Sequence, residues 1–150
     1  MMKKATIGLM VLFLMGFHAA VAETNLVAGE LKILSGNFKF TEGPAADATG
    51  NVYFTDVRAE KIYTWSTDGK LELYRENTGG ANGLYFNKAG NLYTTPETVQ
   101  VFSPEGVLIE EIKTPNRPTN VTFGGKQNRT LFITARAHVY TVEMNVAGME

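Results

Sequence analysis

The chain has 150 residues, a formal net charge of −1 and no cysteine. This length allows one domain with a modest core. Without cysteine, disulfides, thiolate metal sites and cysteine nucleophiles are excluded. The near-neutral charge leaves no basic stripe that could neutralise phosphates, so we expect no nucleic-acid partner.

The N-terminal segment has the pattern of a secretory signal peptide. Lys3 and Lys4 form a basic region, and residues 7–17 form an apolar run. Residues 20–22 read Ala-Val-Ala, which supplies the small-x-small pattern that a signal peptidase requires. We therefore expect cleavage before Glu23.

This pattern sets the expected domain boundaries and location. We predict a signal peptide over residues 1–22 and a single domain over residues 23–150, exported to the periplasm or the extracellular space. The alternative is a retained membrane anchor over residues 5–22. Cleavage would leave no stable membrane anchor, and the loss of two lysines would give a formal charge of about −3.

From Leu31 onward, apolar residues recur with the period of a strand rather than that of a helix. Val52 and Phe54 alternate with Tyr53 and Thr55, as in a half-buried strand, and we expect Val52 and Phe54 to lie in the core between neighbouring sheets. Turn sequences rich in Gly, Asp, Asn and Ser separate such stretches. The sequence therefore predicts an all-β fold. The predicted strands cover residues 43–47, 51–56, 61–66, 71–75, 83–87, 91–95, 98–102, 107–112, 120–124, 130–135 and 138–144.

A repeat of about forty residues organises these strands, and repeats of that length built from strands are typical of β-propeller blades. Each copy begins with a side-chain oxygen, supplied in turn by Glu42, Asn82 and Asn120. The third unit lacks a fourth strand, so the chain holds about three blades. In a propeller the repeated oxygens would converge on the central axis, where they could bind a hard cation such as Ca²⁺. We therefore predict Glu42, Asn82 and Asn120 as metal ligands.

Local structure offers an alternative explanation for each of these residues. Glu42 could accept hydrogen bonds from nearby backbone N–H groups in a turn. Asn82 and Asn120 each precede a strand, where Asn commonly forms an Asx turn. Asp47 and Asp56 are expected to brace turns and strand ends.

Three other features of the sequence carry expectations. Residues 31–34, Leu-Lys-Ile-Leu, are predicted to form a strand that completes the last blade and removes an open edge. The aromatic residues of the first two blades could form a sugar-stacking platform or belong to the core; these are Trp65, Tyr63, Tyr74 and Tyr85. His138 is expected to be exposed or packed. Since no Gly-x-Ser-x-Gly elbow accompanies it, a Ser-His-Asp hydrolase is not expected.

Several ordered motifs resemble one known family. They are Glu42-Gly43-Pro44, the stretch 50–56 that reads Gly-Asn-Val-Tyr-Phe-Thr-Asp, the stretch 79–86, and the stretch 118–125. Together they resemble the SMP-30/gluconolactonase/LRE-like family, six-bladed propellers that include secreted bacterial sugar lactonases. The resemblance implies hydrolysis of a small-molecule sugar lactone.

The resemblance also implies a divalent cation, Ca²⁺ or Zn²⁺, at the axis. In the family it is held by the Glu of an EGP motif, by two Asn and by an Asp that serves as general base. The Glu corresponds to Glu42, whereas no residue corresponds to the Asp. The catalytic and substrate-binding residues are therefore not assigned.

The chain departs from the family pattern between the start of the second blade and residues 99–106, where family members carry about three further blades. Three blades are half of a six-bladed ring, which predicts a homodimer that completes the ring, with residues 31–34 pairing across subunits. The alternative is a non-catalytic propeller remnant or a small binding module.

Overall fold

The structure is a computed structural model that describes residues 26–149. The predicted signal peptide, residues 1–22, lies outside the described residues. The chain divides into two compact units, residues 1–34 and 35–150. The described part of the first unit, residues 26–34, contains no helix and no strand.

The second unit is built from short antiparallel strands, and the predicted all-β fold is confirmed. Its described strands are β1 (Thr41–Ala46), β2 (Val52–Asp56), β3 (Lys61–Trp65), β4 (Leu71–Glu76), β5 (Leu84–Phe86), β6 (Leu92–Thr94), β7 (Val99–Phe102), β8 (Leu108–Ile112), β9 (Asn120–Gly124), β10 (Thr130–Ala135) and β11 (His138–Glu143). Two single 3₁₀ turns cover Val57–Ala59 and Lys126–Asn128. Each strand lies within two residues of its predicted bounds.

The strands form three sheets in which sequence neighbours pair in order. The first sheet is β1-β2-β3-β4, the second is β5-β6-β7-β8, and the third is the three-stranded β9-β10-β11. The leading strands of the sheets contact one another, β1 against β5 and β5 against β9. The three sheets therefore stand side by side, with β1, β5 and β9 as the inner strands.

Two apolar cores hold the sheets together. The core between the first and second sheets contains Ile62, Ala81, Leu84, Phe86, Leu92 and Phe102. The core between the second and third sheets contains Tyr93, Val99, Val101, Val121, Phe123, Leu131 and Ile133. The strand alternation explains this arrangement, since successive residues of a strand serve opposite faces.

The face of β2 that packs in the core differs from the one predicted from the sequence. Val52 and Phe54 were expected between blades, but Tyr53 is the residue of β2 that packs against the second sheet, with its ring 4.8 Å from that of Phe86. Val52 and Phe54 are half-buried on the opposite face of the first sheet. There Phe54 contacts Phe38, at 5.2 Å between ring centroids.

Asp47 and Asn87 brace equivalent turns, which confirms the bracing role predicted for Asp47. Asp47 Oδ1 accepts hydrogen bonds from the backbone N–H groups of Thr49 (2.9 Å) and Asn51 (3.0 Å). In the second sheet, Asn87 Oδ1 accepts from the corresponding N–H groups of residues 89 and 91. Although burial opposes ionisation, these hydrogen bonds lower the pKa of Asp47.

The expectation that residues 31–34 complete the last blade is wrong for a single chain. This stretch is not a strand, and the third sheet contains only β9, β10 and β11 among the described residues. Leu31 and Ile33 are exposed. A short stretch with three apolar residues and no hydrogen-bonded neighbour does not make a strand, because a strand needs a partner for its backbone groups. Residues 26–149 also contain no helix long and apolar enough to cross a membrane.

Candidate functional site

Glu42 lies on the inner strand of the first sheet with its backbone fixed and its carboxylate exposed. It pairs with Thr55 on β2. The hydroxyl of Thr55, which is fully buried, donates to the carbonyl oxygen of Glu42 at 3.0 Å. The carboxylate accepts a long hydrogen bond, 3.3 Å, from the backbone N–H of Gly43. The side chain is therefore free to bind a ligand while its strand is held in place.

Glycines let the inner strands approach one another at this point. Gly43 has a φ of +50°, and a Cβ there would contact the carbonyl oxygen of Asn82 and lie 2.8 Å from Gly83 Cα. A Cβ on Gly83 would contact the side chain of Asn120 and lie 2.6 Å from its Cα. The structure therefore brings together the chain segments of all three residues predicted as ligands: Glu42, Asn82 and Asn120.

The backbone hydrogen bonds correct the predicted equivalence of Asn82 and Asn120. Asn82 N–H donates to the carbonyl of Thr95, and Thr119 N–H donates to the carbonyl of Thr134. Thr95 and Thr134 close the same repeated stretch of their sheets, so Thr119 is the counterpart of Asn82, and Asn120 lies one residue further. Glu42 pairs with Thr55 and Asn120 pairs with Thr134, so Glu42 and Asn120 share one register and Asn82 lies one residue away from it. A shift of one residue reverses the face on which a strand side chain lies. Asn120 Oδ1 accepts from the N–H of Val121 at 2.8 Å.

A buried threonine, near the end of β2 in the first sheet and directly after β6 in the second, links each sheet to the next. Thr55 Oγ1 lies 3.0 Å from the carbonyl oxygen of Asn82 as well as from that of Glu42. Thr95 Oγ1 accepts from Gly83 N–H at 2.8 Å and donates to the carbonyl of Thr119 at 3.0 Å. Both threonines are fully buried. The inner strands are therefore positioned by hydrogen bonds from their neighbours.

Asp56 anchors the segment that leads into β1, which confirms its predicted role at a strand end. It is almost fully buried, and its carboxylate accepts from the backbone N–H groups of Lys39 and Phe40, each at 2.9 Å. Burial alone would raise the pKa of Asp56, but hydrogen bonds from Lys39, Phe40 and Ala59 outweigh it and lower the pKa. This fixes the chain two residues ahead of Glu42.

The other predicted candidates lie away from the inner strands or apart from each other. His138 is exposed, as expected, and stacks on Tyr140 with ring centroids 5.9 Å apart. The aromatic residues considered as a sugar platform are dispersed. Tyr74 packs on Tyr53 near the first core, and Tyr85 packs on Phe123 near the second. Tyr74 and Tyr85 therefore lie beside different cores rather than together in one platform.

The side chains near the inner strands offer few groups that could bind a metal ion. Residues 26–149 contain no group of three or more His, Cys, Asp or Glu side chains that could hold one. A cation at the inner strands would therefore depend on Glu42 together with amide, hydroxyl or backbone oxygens. Such an all-oxygen set suits Ca²⁺. It does not suit Zn²⁺, which is usually held by nitrogen and sulfur ligands.

Sequence reasoning missed the threonines that link the sheets. The signal was present, because Thr55, Thr95 and Thr134 close the three copies of the repeated strand. Only the stacking of the sheets shows that these hydroxyl groups reach the next inner strand.

Comparison with known proteins shows similarity to one family. The SMP-30/Gluconolactonase/LRE-like region matches residues 74–137. The chain is 33% identical over 96 residues to a 6-deoxy-6-sulfogluconolactonase of Pseudomonas putida, a match that covers 55% of this chain and 33% of that protein. The predicted resemblance to this family is confirmed.

Solved structures of this family's fold agree with the architecture. A gluconolactonase from Xanthomonas campestris superposes with a TM-score of 0.63 at 16% identity, over 78% of this chain and 48% of that chain. The calcium-binding protein regucalcin from Agrobacterium tumefaciens gives a TM-score of 0.71 at 18% identity, over 81% and 51%. The fold is a β-propeller, with three blades in the described residues. The chain spans about a third of the curated relative and about half of these two structures.

Proposed function

We propose that this SMP-30/gluconolactonase-like chain is an exported, metal-dependent lactonase that opens the ring ester of a sugar lactone. The observation that carries the proposal is the convergence of Glu42 and Asn82 at the contact between β1 and β5. The two strands lie so close at Gly43 that a Cβ on this residue would have no room. An exposed carboxylate on β1, where the strand lies against the backbone of Asn82, is a suitable start for a cation site.

Glu42 and Asn82 would hold the cation, with Ca²⁺ as the preferred ion because the available donors are oxygens. When bound, a divalent cation polarises the lactone carbonyl and lowers the pKa of a bound water. Thr55 and Asp56 keep β1 in place, so that Glu42 presents its carboxylate without a change in the backbone. The general base is not among the residues assigned to this site.

The family relationship supports the substrate class. The Pseudomonas putida relative is named as a lactonase of a sulfonated sugar, and the Xanthomonas campestris neighbour as a gluconolactonase. Because this chain spans a half or less of those proteins, the activity of the whole fold remains our proposal for it. Export is proposed from the N-terminal sequence pattern.

A metal titration followed by thermal unfolding tests the site. A ligand that binds only the native state raises the midpoint, by an amount equivalent to about 2.7 kcal/mol at a hundredfold excess over its Kd. We expect Ca²⁺ to raise the midpoint of the full-length chain, and Glu42→Gln to remove most of this rise.

The matched control is Glu72→Gln, which neutralises an exposed glutamate of the same sheet on β4. This variant should respond to Ca²⁺ as the unmodified chain does. A midpoint that Ca²⁺, Mg²⁺, Mn²⁺ and Zn²⁺ all leave unchanged would contradict the metal site and would favour the non-catalytic remnant.

A further inference from the structure

The first junction between sheets combines an aromatic contact with a threonine hydrogen bond. Tyr53 packs edge-on against Phe86 of the second sheet, with ring centroids 4.8 Å apart. Two residues later, the buried Thr55 reaches the carbonyl oxygen of Asn82. An apolar contact and a polar contact thus come from one face of β2.

The second junction repeats this arrangement. Tyr93 packs edge-on against Phe123 of the third sheet at 5.2 Å. Two residues later, Thr95 donates to the carbonyl of Thr119. The junction is dry, since Tyr93 and Thr95 are both buried. Each sheet therefore contacts the next through an aromatic residue and a threonine that lie two positions apart at its second strand.

The third sheet presents the same pair without a following sheet. Phe132 and Thr134 occupy the equivalent positions on β10, where Phe132 is half-buried and Thr134 is exposed. The Thr134 hydroxyl lies 3.2 Å from the carbonyl oxygen of Asn120 and 3.0 Å from the hydroxyl of Thr119, both where β9 begins. Beside it lies a cavity of about 190 Å³, lined by Asn120, Val121, Thr122, Phe132 and Thr134. We call this the open face of the third sheet; Val139, paired with Thr134 and 66% exposed, belongs to it.

The first sheet has a complementary uncovered surface on the side away from the second sheet. Phe54 pairs with Tyr63, which pairs in turn with Leu73, so the three side chains share this side. Leu73 is 48% exposed. Phe38 covers only part of the surface, contacting Phe54 and Tyr63. We call this the front face of the first sheet.

We propose that two copies of this chain associate head to tail, with the front face of each copy packed on the open face of the third sheet of the other. Both halves of the contact lie on one chain, so a second copy supplies the partner. Two such contacts related by a two-fold axis close the assembly, whereas a single unreciprocated contact would lead to an open polymer. This proposal does not depend on the lactonase activity or on metal binding.

Two observations favour a second copy over another partner. The open face continues a junction that the chain has already formed twice, with the same residue types at the same positions. The chain also spans 51% of the regucalcin chain and 48% of the gluconolactonase chain, so two copies match the length of one such propeller. The exposed apolar area at both ends of the stack favours association in water.

Light scattering during size-exclusion chromatography of the full-length chain tests the proposal. We expect twice the mass of the 16.5 kDa chain. Val139→Glu on the open face and Leu73→Glu on the front face should each shift the protein to the monomer. The matched control is Val107→Glu, which changes an equally exposed valine in the β7–β8 turn and should leave the dimer intact.

Mixing the two face variants tests the head-to-tail geometry. A mixed pair of Val139→Glu and Leu73→Glu chains has one contact with both faces unmodified, whereas each variant alone has none. The mixture should therefore form more dimer than either variant alone. A monomeric unmodified chain, an open polymer, or a dimer that neither face variant weakens would overturn the proposal.

Discussion

Thr95 and Thr134 occupy the same place in successive blades but lie in opposite surroundings. Thr95 is fully buried between the second and third sheets and hydrogen-bonds to both. Thr134 is exposed at the end of the stack and hydrogen-bonds to Thr119 and Asn120 where β9 begins. The comparison shows that the repeat provides the same contact at every blade, and that the presence of a following sheet decides whether the contact stabilises the fold.

The largest effect is expected at the aromatic residues of these two blades. Tyr93→Ala should lower the free energy of unfolding by about 3 kcal/mol or more, because it opens a cavity in the second core. Phe132→Ala should cost much less, since Phe132 faces the open side of the third sheet. Urea denaturation, at dilutions where the monomer dominates, measures the free energy of unfolding of both variants. Equal losses in the two variants would contradict the difference between the buried and the exposed blade.

The next largest effect is expected where the inner strands touch. Gly83→Ala should destabilise the chain by about 1–3 kcal/mol, because the added methyl group would press against the backbone of Asn120. The matched control is Gly36→Ala, where a Cβ meets nothing within 4 Å. If calorimetry gave both variants the same melting midpoint, the close contact between β5 and β9 would be refuted.

A smaller difference is expected between the threonines themselves. Thr95→Val removes the hydroxyl that hydrogen-bonds to Gly83 N–H and to the Thr119 carbonyl; because Gly83 N–H still donates to the Thr119 carbonyl, the loss should be about 0.5–1.5 kcal/mol. Thr134→Val should change the stability of the monomer little. Chemical denaturation measures the free energy of unfolding of both variants. A larger loss for Thr134→Val than for Thr95→Val would contradict the difference between the buried and the exposed threonine.

The smallest effect concerns pH. The pKa of Asp56 is lowered in the folded state, so its contribution to stability is present above the unfolded pKa, which is near 3.8, and is lost as pH falls through the folded pKa. Asp56→Asn should reduce stability at neutral pH and flatten its decline in acid. Part of the acid dependence should remain, because the pKa of Asp47 is also lowered. Melting midpoints between pH 3 and pH 7 measure this, and parallel curves would argue against the proposed role of Asp56.

The fold was largely predictable from the sequence, because period-two alternation and turn residues are local signals. The strands around Val52–Asp56 and Thr130–Ala135 follow directly from them. The local signal failed for residues 31–34, since an apolar run becomes a strand only beside a partner. It also failed for the core face of β2, because alternation alone does not say whether Tyr53 or Phe54 faces the next sheet.

The candidate site was predictable only in part. The Glu42-Gly43 motif was visible in the sequence, and its contact with the Asn82 strand follows from the blade repeat. The offset between Asn82 and Asn120 was not visible, because each stands at the start of its repeat and only the strand pairing shows that Asn120 is the first residue of β9 whereas Asn82 precedes β5. The partners of Asp56 were equally hidden, since they are backbone N–H groups about sixteen residues away in sequence.

The rate of gluconolactone ring opening by the full-length chain tests the central claim most directly. It should be measured with Ca²⁺, with a chelator, and for the Glu42→Gln and Glu72→Gln variants. We predict Ca²⁺-dependent hydrolysis above the spontaneous rate for the unmodified chain and for Glu72→Gln, and its loss in Glu42→Gln. Hydrolysis at the spontaneous rate under all these conditions, from a chain that remains folded, would contradict the account.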